Sequence, residues 1–239
     1  MDRFRRLKIL IDEKQQAILD SACVMVVGIG GVGAMVCEAL ARSAIKTLII
    51  VDHDLIQITN INRQIHATQN TLDLKKVQAM ADRITQINPE CKVIAIDRFF
   101  DKESVDVFSR KIDFVVDAID TISCKLDLIQ ACHNRQIPII SCLGMGNRFD
   151  PSKLIYSKLY KSEIDPLAKA MRYQARQRKI DYDIDVVLSK EIPLKPSNEL
   201  VLDDDKNGKA PPGSTAFVPN AAGLMLASYV VRSLIKKGL

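Results

Sequence analysis

A glycine-rich loop between a strand and a helix constrains this chain more than any other feature. Gly28-Ile29-Gly30-Gly31-Val32-Gly33 follows the apolar run Cys23–Val27 directly and opens a helical pattern, Gly31–Ser43. Gly28 permits a tight turn, Gly30 lets backbone approach a phosphate, and Gly33 lets helix and strand pack closely. The helix N-terminus then offers unpaired N–H groups and the positive end of a dipole to an anion. Asp52, about 20 residues further on at the end of the next strand, supplies a carboxylate that can accept hydrogen bonds from ribose hydroxyls. A tight turn without ligand is the alternative reading, and the loop by itself does not separate NAD from ATP.

Strands and helices alternate beyond the loop. Strands are expected at Thr47–Val51, Lys92–Ile96, Asp113–Ala118 and Pro138–Cys142. Helices are expected at Leu74–Ile87 and Thr121–Asn134, with Thr121 as a cap. Such alternation implies a parallel sheet covered on both faces, and right-handed crossovers make it doubly wound. The expected fold is therefore α/β: a Rossmann-like, doubly wound, mostly parallel sheet spanning residues 1–146. A C-terminal extension, 147–239, follows as part of the same body. It is expected to hold strands at Leu154–Leu159 and Ile184–Leu188, a basic helix at Asp165–Gln177, and a closing helix at Asn220–Lys237. Ser197–Ser214, rich in Asp, Gly and Pro, is expected as a loop or lid.

At 239 residues, 47% of them hydrophobic, the chain can bury a core without disulfide or metal. Collagen-like, disordered and disulfide-framework classes are excluded. The six cysteines include no CxxC pair, and Cys37, Cys124 and Cys132 fall in helical patterns as core filler. Met1–Leu10 mixes basic and apolar residues unlike a signal peptide, so reduced thiols and a cytoplasmic location are expected. No uninterrupted apolar run approaches the roughly 20 residues of a membrane span. Phe217–Ile235 comes nearest but contains Pro219, Asn220 and Arg232, and reads as a buried or interfacial helix. The net charge is +5, while Pro151–Ile180 alone carries eight basic and two acidic residues. That clustering suits a polyanionic partner, with a solvated helix face as the plain alternative.

Asp52-His53-Asp54 is followed by Asn60-Ile61-Asn62-Arg63-Gln64 and by Lys76. A hydride-transfer site needs a nicotinamide pocket and a proton relay rather than extra cations at the phosphates. Arg63 and Lys76 can neutralise a triphosphate, and Asn60 and Asn62 can hold its oxygens or the ribose. Such an inventory suits phosphoryl or nucleotidyl chemistry, in which positioning and charge compensation supply most of the catalysis. Asp120 ends the Asp117-Ala118-Ile119-Asp120 segment, where ligands of such sheets sit, and is expected to meet the phosphates through Mg²⁺. His66, just beyond this segment, either lines the site or is a satisfied structural histidine.

Together the glycine loop, the Asp52–Gln64 stretch, Lys76 and Asp117–Asp120 resemble the E1-like adenylating enzymes, over roughly Arg3 to Gly146. The second half chooses a branch. Sulfur-carrier activators usually hold zinc with two CxxC pairs, which this chain lacks. Asp165–Lys169, the basic run to Lys179, Val186–Glu191 and Pro212–Pro219 instead resemble the tRNA threonylcarbamoyladenosine dehydratases. Where some members carry a cysteine before the last helix, this chain has Ser214 and Thr215.

The resemblance implies a ligase-type, ATP-dependent enzyme that binds ATP through the loop glycines Gly28, Gly30, Gly31 and Gly33 with Asp52, Asp54, Asn60, Asn62, Arg63, Gln64, Lys76 and Asp120. It implies Mg²⁺ at Asp120 and a monovalent cation, Na⁺ or K⁺, of unplaced ligands. It also implies a homodimer in which Arg6, or second Arg3, reaches the other subunit's ATP. Arg63, Lys76, Asp120 and Arg6 are then the catalytic set. Lys169, Arg172, Arg176, Arg178 and Lys179 are expected to touch the tRNA anticodon arm. A cysteine desulfurase or sulfur-acceptor system is a further partner it raises. The implied reaction turns the threonyl carboxylate into an acyl-adenylate and closes a ring; direct phosphoryl activation with ADP release stays open. Three alternatives stand beside it: activation of a sulfur carrier's C-terminal carboxylate at the same ATP site, a nicotinamide-dependent dehydrogenase, and a non-catalytic binding protein.

Overall fold

The computed structural model describes residues 2–195 and 212–236. A seven-stranded sheet organises them, in the order β3-β2-β1-β4-β5-β7-β6. These strands are β1 (Cys23–Val27), β2 (Thr47–Asp52), β3 (Lys92–Asp97), β4 (Phe114–Asp117), β5 (Ile139–Cys142), β6 (Leu154–Lys158) and β7 (Asp185–Ser189). All neighbours pair in parallel except β6 with β7. The chain runs outward from β1 through β2 to β3, then returns to β4 on the other side of β1. The sheet's switch point therefore lies between β1 and β4, where open α/β sheets bind ligands.

Both faces of the sheet are covered, which explains the continuous apolar runs in the central strands. Val24 and Val26 of β1 join one core, with α2 (Gly31–Ala41) and α6 (Val218–Lys236). Met25 and Val27 point to the other, with Leu128 and Cys132 of α4 (Ile122–Asn134). A further cluster packs α5 (Pro166–Gln177) over the β5–β7 side. The extension thus adds β7 and β6 to the same sheet.

α6 is long and apolar enough to cross a membrane by length and composition, with mean hydropathy 1.3. Here it packs on α2 instead: a Cβ added at Gly223 would lie 2.6 Å from the Val32 carbonyl oxygen. Its buried face runs through Val218, Ala222, Leu226, Val230 and Leu234.

Boundaries shift for local reasons. α3 (Lys76–Ile87) starts later than its periodicity suggests, because Lys75 is extended and bridges Leu55, and Ile56 N–H donates to the Leu74 carbonyl at 2.9 Å. α6 starts earlier than expected, since Pro219 in its first turn owes no intrahelical N–H bond. α1 (Glu13–Leu19) has no counterpart among the expected elements; a reciprocal capping box between Asp12 and Gln15 defines it. Thr121 stands at the N-cap of α4, but its side chain caps nothing and its hydroxyl donates to Asp120 Oδ1. The expected lid, Ser197–Ser214, lies outside the described residues apart from 212–214. All six cysteines are free, and five are buried, Cys37, Cys124 and Cys132 among them.

Gly33 is the tightest point of the fold, since a Cβ there would fall 1.7 Å from the Gly28 carbonyl oxygen. Gly33→Ala is expected to destabilise the chain by about 1–3 kcal/mol, the usual penalty of overpacking. Thermal melting followed by circular dichroism measures the loss.

Candidate active site

A crevice of about 430 Å³ opens at the switch point. Its floor is made of three backbone segments that meet with almost no side chain between them. Gly28 N–H donates to the Val51 carbonyl at 2.9 Å, and Ala118 N–H to the Val27 carbonyl at 2.8 Å. Gly28 sits at φ +89°, and a Cβ there would lie 2.6 Å from the Ala118 carbonyl oxygen. Only glycine satisfies both demands. Gly30 is the N-cap of α2 and contributes no capping side chain. The first-turn N–H groups of α2 are thus left without a side-chain cap, the arrangement that receives phosphate oxygens.

Asp52 locks this loop. Its Oδ2 accepts from Ile29 N–H at 2.6 Å and its Oδ1 from Asp54 N–H at 2.8 Å. Both oxygens keep lone pairs for ribose hydroxyls. Asn60, 7% exposed, accepts from Gln57 N–H through Oδ1. Gln64 also lines the crevice, and its buried Oε1 has no partner in the structure, an acceptor waiting for a donor.

The two expected cations behave differently. Lys76 is buried and already paired with Asp54 at 2.5 Å, so together they bring no net charge. Arg63 donates to the Thr59 carbonyl at 2.8 Å and to Asn62 Oδ1 at 2.9 Å, and no acid pairs with it among the described residues. Burial lowers its pKa from the usual arginine range, although it stays charged. A desolvated guanidinium without a counter-ion is an anion receptor.

Asp120 lines the same crevice as an exposed carboxylate, its Oδ1 accepting from the Thr121 hydroxyl at 3.2 Å. A hard oxygen donor so placed fits Mg²⁺ shared with phosphates. Asp52, His53 and Asp54 also offer ligand atoms within 4.8 Å of one another. Their carboxylates are engaged with backbone N–H groups and Lys76, which leaves Asp120 the better metal residue.

Beneath Asp120 lies a buried polar knot. Lys125 and Asp117 are both 0% exposed. Lys125 Nζ reaches Asp117 Oδ2 at 2.9 Å and the Ile119 carbonyl at 2.8 Å. Asp117 also accepts from Ile119 N–H at 3.0 Å and from the Ser141 hydroxyl. The segment carrying Asp120 is therefore clamped from below. Lys125 was not among the expected site residues; a lysine between Cys124 and Leu126 in the first turns of the helix, four residues after Thr121, was the available signal. Arg98, Phe99 and Phe100, at the end of β3, also line the crevice unforeseen. Phe99 is 46% exposed and stands edge-on to His53 at 5.0 Å, a flat apolar wall beside Asp52.

Other expected residues lie elsewhere. Gly33 serves packing rather than the crevice. Asn62 does not line it and ties the chain near α6 instead, donating to the Ser214 carbonyl at 3.0 Å. Arg6 is exposed, outside this chain's own crevice. Lys169, Arg176 and Lys179 are exposed, whereas Arg172 donates to the Ser162 carbonyl at 2.7 Å and Arg178 pairs with Asp127 at 2.6 Å. The cysteines lie outside the crevice, and burial pushes the Cys132 and Cys142 thiols up to about 12. None is poised as a nucleophile.

This site geometry has close relatives. The ThiF family model matches residues 2–238. The chain belongs to the ThiF family. The tRNA threonylcarbamoyladenosine dehydratase of Bacillus subtilis is 38% identical to it, over 99% of this chain and 96% of the relative. Crystal structures of Escherichia coli tRNA N6-threonylcarbamoyladenosine dehydratase in complex with AMP and with ATP superpose on it with TM-scores of 0.90 and 0.87. They are 32% and 33% identical, and each match covers 98% of this chain and 94% of the relative. This ThiF-family chain places Gly28, Gly30, Gly31, Arg63, Lys76 and Asp120 around one crevice.

Two measurements probe the surroundings of the crevice. Lys125→Met alone strands a buried carboxylate and is expected to cost about 3–5 kcal/mol in denaturant unfolding. The double change Asp117→Asn with Lys125→Met recovers most of that. His66 is 3% exposed, with neither ring nitrogen partnered. Burial first, then the charges of Lys76 and Arg83, lower its pKa from 6.5 to about 4. The unfolded chain thus takes up a proton that the folded one refuses. His66 is expected to favour folding fully above pH 6.5, with that contribution lost as pH falls toward 4. Melting curves across this window will be steeper in pH for the wild type than for His66→Leu.

Proposed function

We propose that this chain dehydrates N6-threonylcarbamoyladenosine in tRNA, spending ATP to activate the threonyl carboxylate. The observation that carries the reading is Arg63, half-buried and without an acid partner among the described residues, beside an uncapped glycine-loop helix in a chain 38% identical to a named dehydratase over nearly its whole length.

A carboxylate is a poor acyl donor, because its charge repels nucleophiles and oxide is a poor leaving group. In the proposed reaction its oxygen attacks the α-phosphorus of ATP, and pyrophosphate leaves. A nitrogen or oxygen of the substrate's own carbamoyl group then attacks the acyl carbon, AMP departs with the carboxylate oxygen, and a proton is released. The substrate loses the elements of one water. Ring closure is intramolecular, where proximity is worth about 7–11 kcal/mol. No enzyme nucleophile is required, in keeping with the inert cysteines.

Each residue then has a task. The N–H groups of α2 and Arg63 hold phosphate oxygens against the developing charge. Asp52 orients the ribose, Asn60 and Gln64 hold sugar or phosphate, and Phe99 walls the adenine. Lys76, held by Asp54, turns toward the phosphates as they bind. Asp120 would hold Mg²⁺, which would supply charge neutralisation at the phosphates. Arg6 reaches the crevice of a second copy in a homodimer. Lys169, Arg176 and Lys179 meet the tRNA backbone, while Arg172 and Arg178 first hold α5 in place. The enzyme works in the cytoplasm, where its substrate resides.

Activation of a sulfur carrier's C-terminal carboxylate would use the same crevice, but the CxxC pairs usual in that branch are missing. Nucleoside mass spectrometry of tRNA incubated with the protein decides. The expected result is loss of one water from threonylcarbamoyladenosine only when ATP is present, with AMP as the coproduct. Arg63→Gln is expected to slow it by at least about tenfold, the value of a lost charged hydrogen bond. Unchanged nucleoside mass with ATP, under conditions where ATP binds, would overturn the proposal.

A further inference from the structure

α5 turns Ala168, Met171 and Ala175 inward, onto the core under the extension. Its outer face carries Lys169, Tyr173 and Arg176, spaced four and three residues apart and therefore neighbours on one side of the helix. Tyr173 is 66% exposed, with a cation on each side. Residues 166–180 hold five basic residues and no acid. The guanidinium of Arg176 lies 5.8 Å from the ring centroid of Tyr160, which widens the mixed aromatic and basic surface.

The position of this face is fixed. Asp165 caps α5 by accepting from Ala168 N–H at 2.9 Å. Its other oxygen accepts from Arg148 Nη2 at 3.0 Å, in a pair that is almost wholly buried. A Cβ on Gly144, just past the end of β5, would sit 3.4 Å from either oxygen. α5 thus begins at the same end of the sheet as the crevice.

We propose that Lys169, Tyr173 and Arg176 form a stacking platform for one unpaired base in the RNA loop that carries the target nucleoside. The choice of RNA rests on the tRNA reading above; the platform rests on the surface itself. Cations flanking the ring match phosphates on either side of a base. A flat ring held in water offers a π-face to a splayed base, and every base has one. A duplex stem keeps its base faces stacked inside and gives Tyr173 nothing to receive. Tyr173 would therefore tell loop from stem, while the cations alone would bind either.

The test is binding of the full chain to an anticodon stem-loop and to a fully paired two-stranded RNA duplex of equal length, each at several salt concentrations. Tyr173→Ala is expected to weaken stem-loop binding by about 5- to 150-fold and to leave duplex binding unaffected. The salt dependence keeps its slope, because no charge is lost. Tyr173→Phe, which retains the ring, stays within about twofold of wild type. Lys169→Gln instead lowers the salt slope by about 0.7, as one lost phosphate contact on a single strand should. ATP binding and melting temperature serve as controls for the exposed Tyr173 variants.

Stem-loop affinity of Tyr173→Ala within twofold of wild type would overturn the platform. So would equal losses on stem-loop and duplex, or a Phe variant as weak as the Ala one. Binding of polyglutamate in preference to RNA, lost in Tyr173→Ala, would also overturn it and assign the face to an acidic protein. If Tyr173 discriminates loop from stem but the nucleoside is never dehydrated, the platform stands and the proposed reaction falls. Dehydration that proceeds with Tyr173 silent gives the reverse.

Discussion

The structure depends on three backbone segments closing on one another without side chains between them. The turn at Gly28 contacts the carbonyl of Ala118, and Gly33 contacts the carbonyl of Gly28. The connections leaving β1 and β4 lead to opposite sides of the sheet, so the chain leaves a gap that the start of α2 faces. Two polar contacts hold its walls in place. Asp52 ties the loop from one side through the Ile29 N–H. Lys125 and Asp117 tie the opposite wall from below. A buried ion pair is weak support for stability in itself, since desolvation consumes much of its attraction. Its geometric effect is the more direct one: it fixes Ile119 and, next to it, Asp120.

Charge in the crevice is divided between groups already satisfied and groups still open. Lys76 has Asp54, and Arg98 has Asp106. Arg63 has carbonyl and amide oxygens, which direct a guanidinium without neutralising it. Asp120 has a neighbouring hydroxyl. Among the described residues the crevice therefore offers one cation, Arg63, and two acids, Asp52 and Asp120, that no opposite charge neutralises. The half-exposed Phe99 and the unpartnered Gln64 oxygen extend the same logic to the nucleoside end.

The extension is built into the sheet and sets the geometry of a second surface. β7 joins β5 in parallel, β6 adds an antiparallel edge, and the buried pair of Arg148 with Asp165 fixes the start of α5. Two of the basic residues of α5's neighbourhood are spent inside the molecule: Arg172 on Ser162 and Arg178 on Asp127. They orient the helix, and the remaining cations and Tyr173 face out.

The sequence by itself determined the βαβ framework, the glycine loop and the end-of-strand acids. These are set by local periodicity and by backbone conformations that only glycine adopts, so they are legible without knowing what lies opposite. Expected strands and helices fell within a few residues of their places, and Gly28, Gly30, Gly31, Asp52, Asp54, Asn60, Arg63, Gln64, Lys76 and Asp120 do line one crevice. Only the tertiary structure decided which charges are free. Lys76 and Arg63 look equivalent in the chain, yet one meets an acid 22 residues away and the other meets none among the described residues. Arg178 finds its acid 51 residues back, and Lys125 sits beside an aspartate from the preceding strand. Such pairings arise when distant segments are brought within a few ångströms, and no count of charges along a chain contains that distance.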